Sequence, residues 1–122
     1  MKRLFLSIHI ILFVFFALPA DEAASINLNH QGHDDHFNFP MPAETPDVYY
    51  NNSTQTLIID GTGEVEYYDV EIMSLTTFDT VISTRVNGYY DTIDVSSLPE
   101  GEYAITIDAP TGNSFEGFFS TY

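Results

Sequence analysis

The sequence predicts an all-β fold, an antiparallel β-sandwich of about seven strands. Three observations carry it. From Val48 onward, short runs of β-branched and aromatic residues are separated by Gly, Pro, Asn and Asp at about eight- to twelve-residue intervals. Several runs place apolar residues at every second position, as a sheet with one buried face requires. No long helical periodicity appears after residue 20.

The strands are expected near 48–51, 55–60, 65–74, 80–86, 89–95, 102–108 and 114–121. Val48-Tyr49-Tyr50 opens the series. Leu57 and Ile59 alternate in the second run, and Tyr68, Val70 and Ile72 in the third. The fourth alternates through Ile82, Thr84 and Val86 and meets Asn87-Gly88, a pair that tolerates the positive φ of a two-residue type I′ turn. A hairpin into the fifth run is therefore expected. The sixth run is the most regular, with Tyr103, Ile105 and Ile107 on one face and Ala104, Thr106 and Asp108 on the other. Leu98-Pro99-Glu100-Gly101 precedes it and Pro110-Thr111-Gly112-Asn113 follows it, both turns in which Pro sets φ and Gly relieves a strained position. Tyr103 after the Gly101 turn is placed as in a tyrosine corner, its hydroxyl returning to an upstream backbone group. This order of strands and turns is that of an immunoglobulin-like sandwich.

The stretch Ile93 to Ile107, with its strand end, Leu98-Pro99-Glu100-Gly101-Glu102-Tyr103 and alternating apolar residues, resembles small exported proteins of Gram-negative bacteria grouped as domain of unknown function 3244. The likeness covers roughly residues 48–121. It implies a lone immunoglobulin-like sandwich behind a signal peptide and no assigned activity. Similar stretches occur in C-terminal secretion-sorting domains, which typically end in a basic strand. Here Ser114 to Tyr122 is acidic, without Lys or Arg.

Met1-Lys2-Arg3, the apolar run Leu4 to Leu18 and the small residues around Ala20 form a secretory signal, expected to occupy residues 1–20. The run, interrupted by Ser7 and His9, falls short of the ~20 apolar residues of a membrane span. Residues 21–47 read as a flexible acidic tail containing histidines and Pro40, Pro42 and Pro46, and residues 48–122 as the sandwich domain. The chain has no cysteine, so neither a lipidated Cys nor a disulfide holds it. An exported protein follows, in the periplasm, at the cell surface or in the medium, without membrane insertion once the signal is cleaved.

The formal charge is −15, and all eighteen acidic residues lie beyond residue 20, where Arg85 is the one Lys or Arg. Nucleic acid and anionic lipid are therefore excluded as partners, since both are held by Lys and Arg. High net charge keeps a small domain soluble, and a monomer is expected.

Among residues that could carry chemistry, His30, His33 and His36 with Asp34 and Asp35 offer imidazole and carboxylate suited to zinc, copper or nickel. The same composition also makes a solvated tail, which must pay ordering entropy to close a metal site. Three tyrosine doublets, Tyr49-Tyr50, Tyr67-Tyr68 and Tyr89-Tyr90, should each send one ring inward and one outward. Phe118-Phe119, with Tyr122 after them, mark an expected edge strand, open to strand addition or bulged to bury both rings. Asp79-Thr80-Val81 and Asp91-Thr92-Ile93 look like Asp-Thr-aliphatic O-glycosylation acceptors, and Asn51-Asn52-Ser53-Thr54 contains N-glycosylation acceptors or a turn.

Catalysis is not expected. Past the signal there is no Cys or Lys, every His lies in the tail, and no phosphate-binding glycine loop occurs. No cofactor is expected. The expected function is that of a non-enzymatic interaction module for a protein or glycan of the envelope or medium. Alternatives are an assembly subunit working through its C-terminal edge strand, a secretion-sorting type domain, or metal capture.

Overall fold

A computed structural model of the chain describes residues 23–30 and 41–122. These residues form nine strands: β1 (Ala23–Ile26), β2 (Asn29–His30), β3 (Asp47–Asn51), β4 (Thr56–Asp60), β5 (Tyr67–Ser74), β6 (Thr80–Asn87), β7 (Tyr90–Asp94), β8 (Glu102–Asp108) and β9 (Ser114–Ser120). They pair antiparallel throughout, in one sheet of order β1-β3-β4-β7 and another of order β2-β9-β8-β5-β6.

Period-two alternation fills the space between the sheets. Val48, Tyr50, Leu57, Ile59 and Ile93 face inward from the four-stranded sheet, and Tyr68, Val70, Ile72, Ile105, Ile107 and Phe115 from the other; all are buried. Each such side chain contributes roughly 1.5–3 kcal/mol on leaving water, so this core alone holds a chain that has no disulfide. The seven expected strands correspond to β3 through β9, with ends displaced by at most two residues.

Two expectations about organisation are corrected. Residues 23–30, expected in the tail, belong to the sandwich: β1 pairs with β3 and β2 with β9. Ile26 is the one buried residue of β1, so its alternation is too short to register in sequence. Gly117 of β9 makes room for this segment, because a Cβ there would lie 2.7 Å from Ile26 Cγ2 and 3.1 Å from the Asn27 carbonyl oxygen.

The Asn87-Gly88 hairpin does not form. β6 pairs with β5 and β7 with β4, so residues 88–89 carry the chain from one sheet to the other. Gly88 is needed there for close approach and not for positive φ: a Cβ would fall 1.7 Å from the Val65 carbonyl oxygen. Gly88 N–H donates to Glu66 O, and Gly63 and Gly61 N–H donate to Gly88 and Tyr89 carbonyls, fastening the crossover to the 61–66 loop. Asn87 Oδ1 accepts from the N–H groups of Tyr89 and Tyr90 at 2.9 and 2.8 Å. Asn87 thus caps the crossover as an Asx turn does.

Candidate functional site

Because the chain changes sheets between β6 and β7, both are edge strands on the same flank of the sandwich. The opposite flank is closed by the 26–30 segment crossing from β1 to β2. On the β6–β7 flank the sheets diverge and leave a groove of about 500 Å³, lined by Ile82, Thr84, Val86 and Ile93 with Asp91 and Asp94. Thr84 reports the opening most directly. It stands opposite Val70, which is fully buried, and antiparallel partners share a face, yet Thr84 is exposed. Nothing among the described residues of the four-stranded sheet covers it.

Hydrogen bonds hold the groove's charged rim. Asp91 Oδ2 accepts from Asn87 N–H at 3.2 Å and its Oδ1 from Thr92 N–H at 2.9 Å. Asp94 Oδ1 accepts from Ser96 N–H at 2.9 Å, and Ser96 lowers its carboxyl below the ordinary carboxylate value. On the outer face of the five-stranded sheet, Arg85 donates to both oxygens of Asp69, at 2.8 and 3.2 Å, with its guanidinium 3.8 Å from the Tyr67 ring centroid. That pair lowers the Asp69 pKa and raises that of Arg85. The positive charge at the groove is thereby already matched, and the two rim carboxylates are left to define its sign.

The other candidate residues are dispersed. Tyr103 is buried, and its hydroxyl donates to Pro99 O at 2.5 Å. Gly101 has no positive φ, and a Cβ would have its nearest neighbour at 4.0 Å, so the strained position expected there is absent. In the later turn Gly112 does adopt a φ of 98°. Thr121, which sequence reading passed over, is buried and ties the chain end to the Pro99–Gly101 turn: it donates to Pro99 O and accepts from Gly101 N–H.

Phe119 is 7% exposed and packs against Tyr50 and Tyr103, whereas Phe118 is 53% exposed on the outer face, opposite Ala104, and Tyr122 is also exposed. The chain does not bulge to bury both rings. β9 is also not an open edge along its length, because β2 pairs with Phe115 and Glu116 and the 26–28 segment lies on Gly117. The first two tyrosine doublets divide, with Tyr50 and Tyr68 buried, but Tyr89 and Tyr90 are both exposed because Tyr89 lies in the crossover. Asn51 Oδ1 accepts from Ser53 and Thr54 N–H in a turn, and Thr80 and Thr92 are exposed on edge strands.

His30 lies on β2, against Phe115 and 2.9 Å from the Asn113 Oδ1 acceptor. Asn113 and Thr111 both donate to Glu44 Oε1, and Tyr68 donates to the Glu44 carbonyl. His33 and His36 lie outside the described residues, as does the 1–20 segment. Among the described residues no three His, Asp or Glu side chains are placed to hold a metal ion, and no helix is long and apolar enough to cross a membrane.

No protein-family model matches the chain, and no curated protein is significantly similar to it. Among solved structures, it is similar to a domain of unknown function 3244 family protein from Bacteroides vulgatus with an immunoglobulin-like β-sandwich fold. The TM-score is 0.65 at 14% identity, over 82% of this chain and 99% of that one. The two share their fold, and that fold is the immunoglobulin-like β-sandwich.

Proposed function

We propose that this chain is an exported, non-enzymatic interaction module of the domain of unknown function 3244 group, and that it engages another protein through the β6–β7 flank. The observation that carries this reading is Thr84, an inward-facing residue of an edge strand left exposed where the sheets part. An edge strand offers a row of main-chain donors and acceptors, which suits a polypeptide partner better than a glycan. Export rests on the Met1 to Ala20 pattern. The grouping rests on the shared fold together with the Leu98 to Tyr103 resemblance.

An assembly role through the final strand has less support, because residues 26–30 occupy part of that edge. A photo-crosslinking residue placed at position 84, and separately at 106 on the outer face, tests the reading in the native envelope and medium. A discrete adduct formed from position 84 alone is expected. Equal capture from both positions, or none from 84, would overturn it.

A further inference from the structure

Resting on that reading, we infer that the occupant of the groove is an extended, cationic segment of another protein, added as a strand to the free edge of β6. Its apolar side chains lie over Ile82, Val86 and Ile93, and its Lys or Arg side chains reach Asp91 and Asp94.

The backbone argument comes first. β6 pairs with β5 on one side, and no described strand takes its other side. Register shifts once, between Ile72 and Met73, opposite the start of β6. From Ile82 to Asn87 the pairing is regular, a run of six residues or about 20 Å of edge. Edge strands are commonly protected by bulges and charges. Here the bulge falls at Val81, before the regular run begins, and the one charged side chain, Arg85, is folded onto Asp69 and Tyr67.

Side-chain chemistry then selects the added strand. Ile82, Thr84 and Val86 recur at every second residue, so a strand laid beside β6 meets a floor of two aliphatic side chains and a threonine at the same period. Beside that floor, Ile93 supplies an apolar wall on β7, flanked by Asp91 and Asp94. An alternating apolar and basic segment satisfies both surfaces.

Charge decides between occupants. A second copy brings another −15 against this one, and like-charge repulsion opposes an edge-to-edge dimer. A cationic segment is instead drawn in by the whole chain's field, which reaches about a Debye length, ~8–10 Å, at physiological salt.

The test uses the chain without residues 1–20 and three capped octapeptides: (Lys-Val)4, (Glu-Val)4 and (Lys-Val)4 N-methylated at every backbone amide. The N-methylated peptide keeps the charge and the side chains but has no N–H to donate to a ladder on either edge. Saturable binding of (Lys-Val)4 by calorimetry is expected, at least ~10-fold tighter than either control, with slowed hydrogen exchange at those amides of 82–87 that point away from β5. Binding should weaken by ~10-fold or more between 50 and 500 mM NaCl, and several-fold in Asp91→Asn/Asp94→Asn, whose single amide oxygens keep one capping bond at each position.

Equal affinity for the N-methylated peptide would overturn strand addition. Equal affinity for (Glu-Val)4, with β6 still protected, would overturn the cationic partner while leaving the binding flank in place. If no peptide protects β6, the flank itself fails. If the amides of 82–87 that point away from β5 are already protected in the free monomer, or become protected in a concentration-dependent dimer, the occupant is this chain's own segment or a second copy and the inference is overturned.

Discussion

The Tyr103 hydroxyl reaches back to the Pro99 carbonyl, four residues upstream, and the same carbonyl accepts a second hydrogen bond from Thr121 at 3.1 Å. Strand β8, the turn before it and the chain end are thereby tied at one oxygen. Tyr103→Phe removes one donor but leaves Pro99 O satisfied by Thr121, so the loss should stay near 1 kcal/mol. Removing both donors, in Tyr103→Phe/Thr121→Val, leaves a part-buried carbonyl without its donors. The double variant should lose clearly more than the sum of the singles, by about 1 kcal/mol, in a urea-denaturation cycle. Additive losses would mean that the two bonds are not coupled through Pro99.

Gly88 and Gly101 should respond in opposite ways to the same substitution. At Gly88 the added methyl meets backbone, 1.7 Å from Val65 O, and nothing there is the end of a flexible side chain. Gly88→Ala must push the crossover off the 61–66 loop, and a loss of about 3 kcal/mol or more is expected. At Gly101 the nearest atom is at 4.0 Å and φ is not positive, so Gly101→Ala should be neutral or stabilise by up to ~1 kcal/mol through the unfolded chain. Thermal melting of both variants checks the pair. A tolerated Gly88→Ala would remove the close-approach account of the crossover.

This contrast also marks how far the sequence could be read. Tyr103, Ile105 and Ile107 alternate strongly enough to define β8 and its inward face unaided. Asn87-Gly88 has the composition of a hairpin turn, and local chemistry does not distinguish a turn that keeps a strand in its sheet from one that moves it to the other. What decides is non-local, namely the approach of Gly88 to Val65 and the pairing of β7 with β4. Ala23 to Ile26 shows the reverse problem, a strand with a single buried residue, made by the edge of β3 and by the space over Gly117. The groove was illegible for the same reason. Thr84 reads as an ordinary inward position, and its exposure follows from where the other sheet ends.

Phe118 and Phe119 are adjacent in sequence and separated by the thickness of a sheet. Phe119 packs its ring 5.4 Å from Tyr50 and 5.5 Å from Tyr103, centroid to centroid. Phe119→Ser removes that packing and places a hydroxyl in the core, so a loss of about 3–5 kcal/mol is expected. Phe118 is the cross-strand neighbour of Ala104 on the outer face and is largely exposed, so Phe118→Ser should cost about 1 kcal/mol or less. Separate denaturation curves for the two variants measure this. Similar losses at both positions would mean that the outer ring is packed more closely than its exposure indicates.

Glu44 joins the segment before β3 to the β8–β9 turn. The Asn113 amide and the Thr111 hydroxyl donate to its carboxylate, and with a smaller contribution from His30 they hold its pKa below the ordinary value of 4.5. A carboxyl lowered in the folded state stabilises it fully above the unfolded pKa, and that contribution is lost as pH falls through the native value. Glu44→Gln keeps an acceptor oxygen and removes only the charge. Wild type should therefore exceed Glu44→Gln by a constant amount between about pH 7 and 6, on the order of 1 kcal/mol or less because solvent screens this half-exposed group. Below the ordinary carboxylate value the margin should shrink toward zero. Urea denaturation of both proteins from about pH 7 down to 3 measures the difference directly. A margin that is flat across this range, or that widens on acidification, would show that the ionised carboxylate is not what Asn113 and Thr111 stabilise.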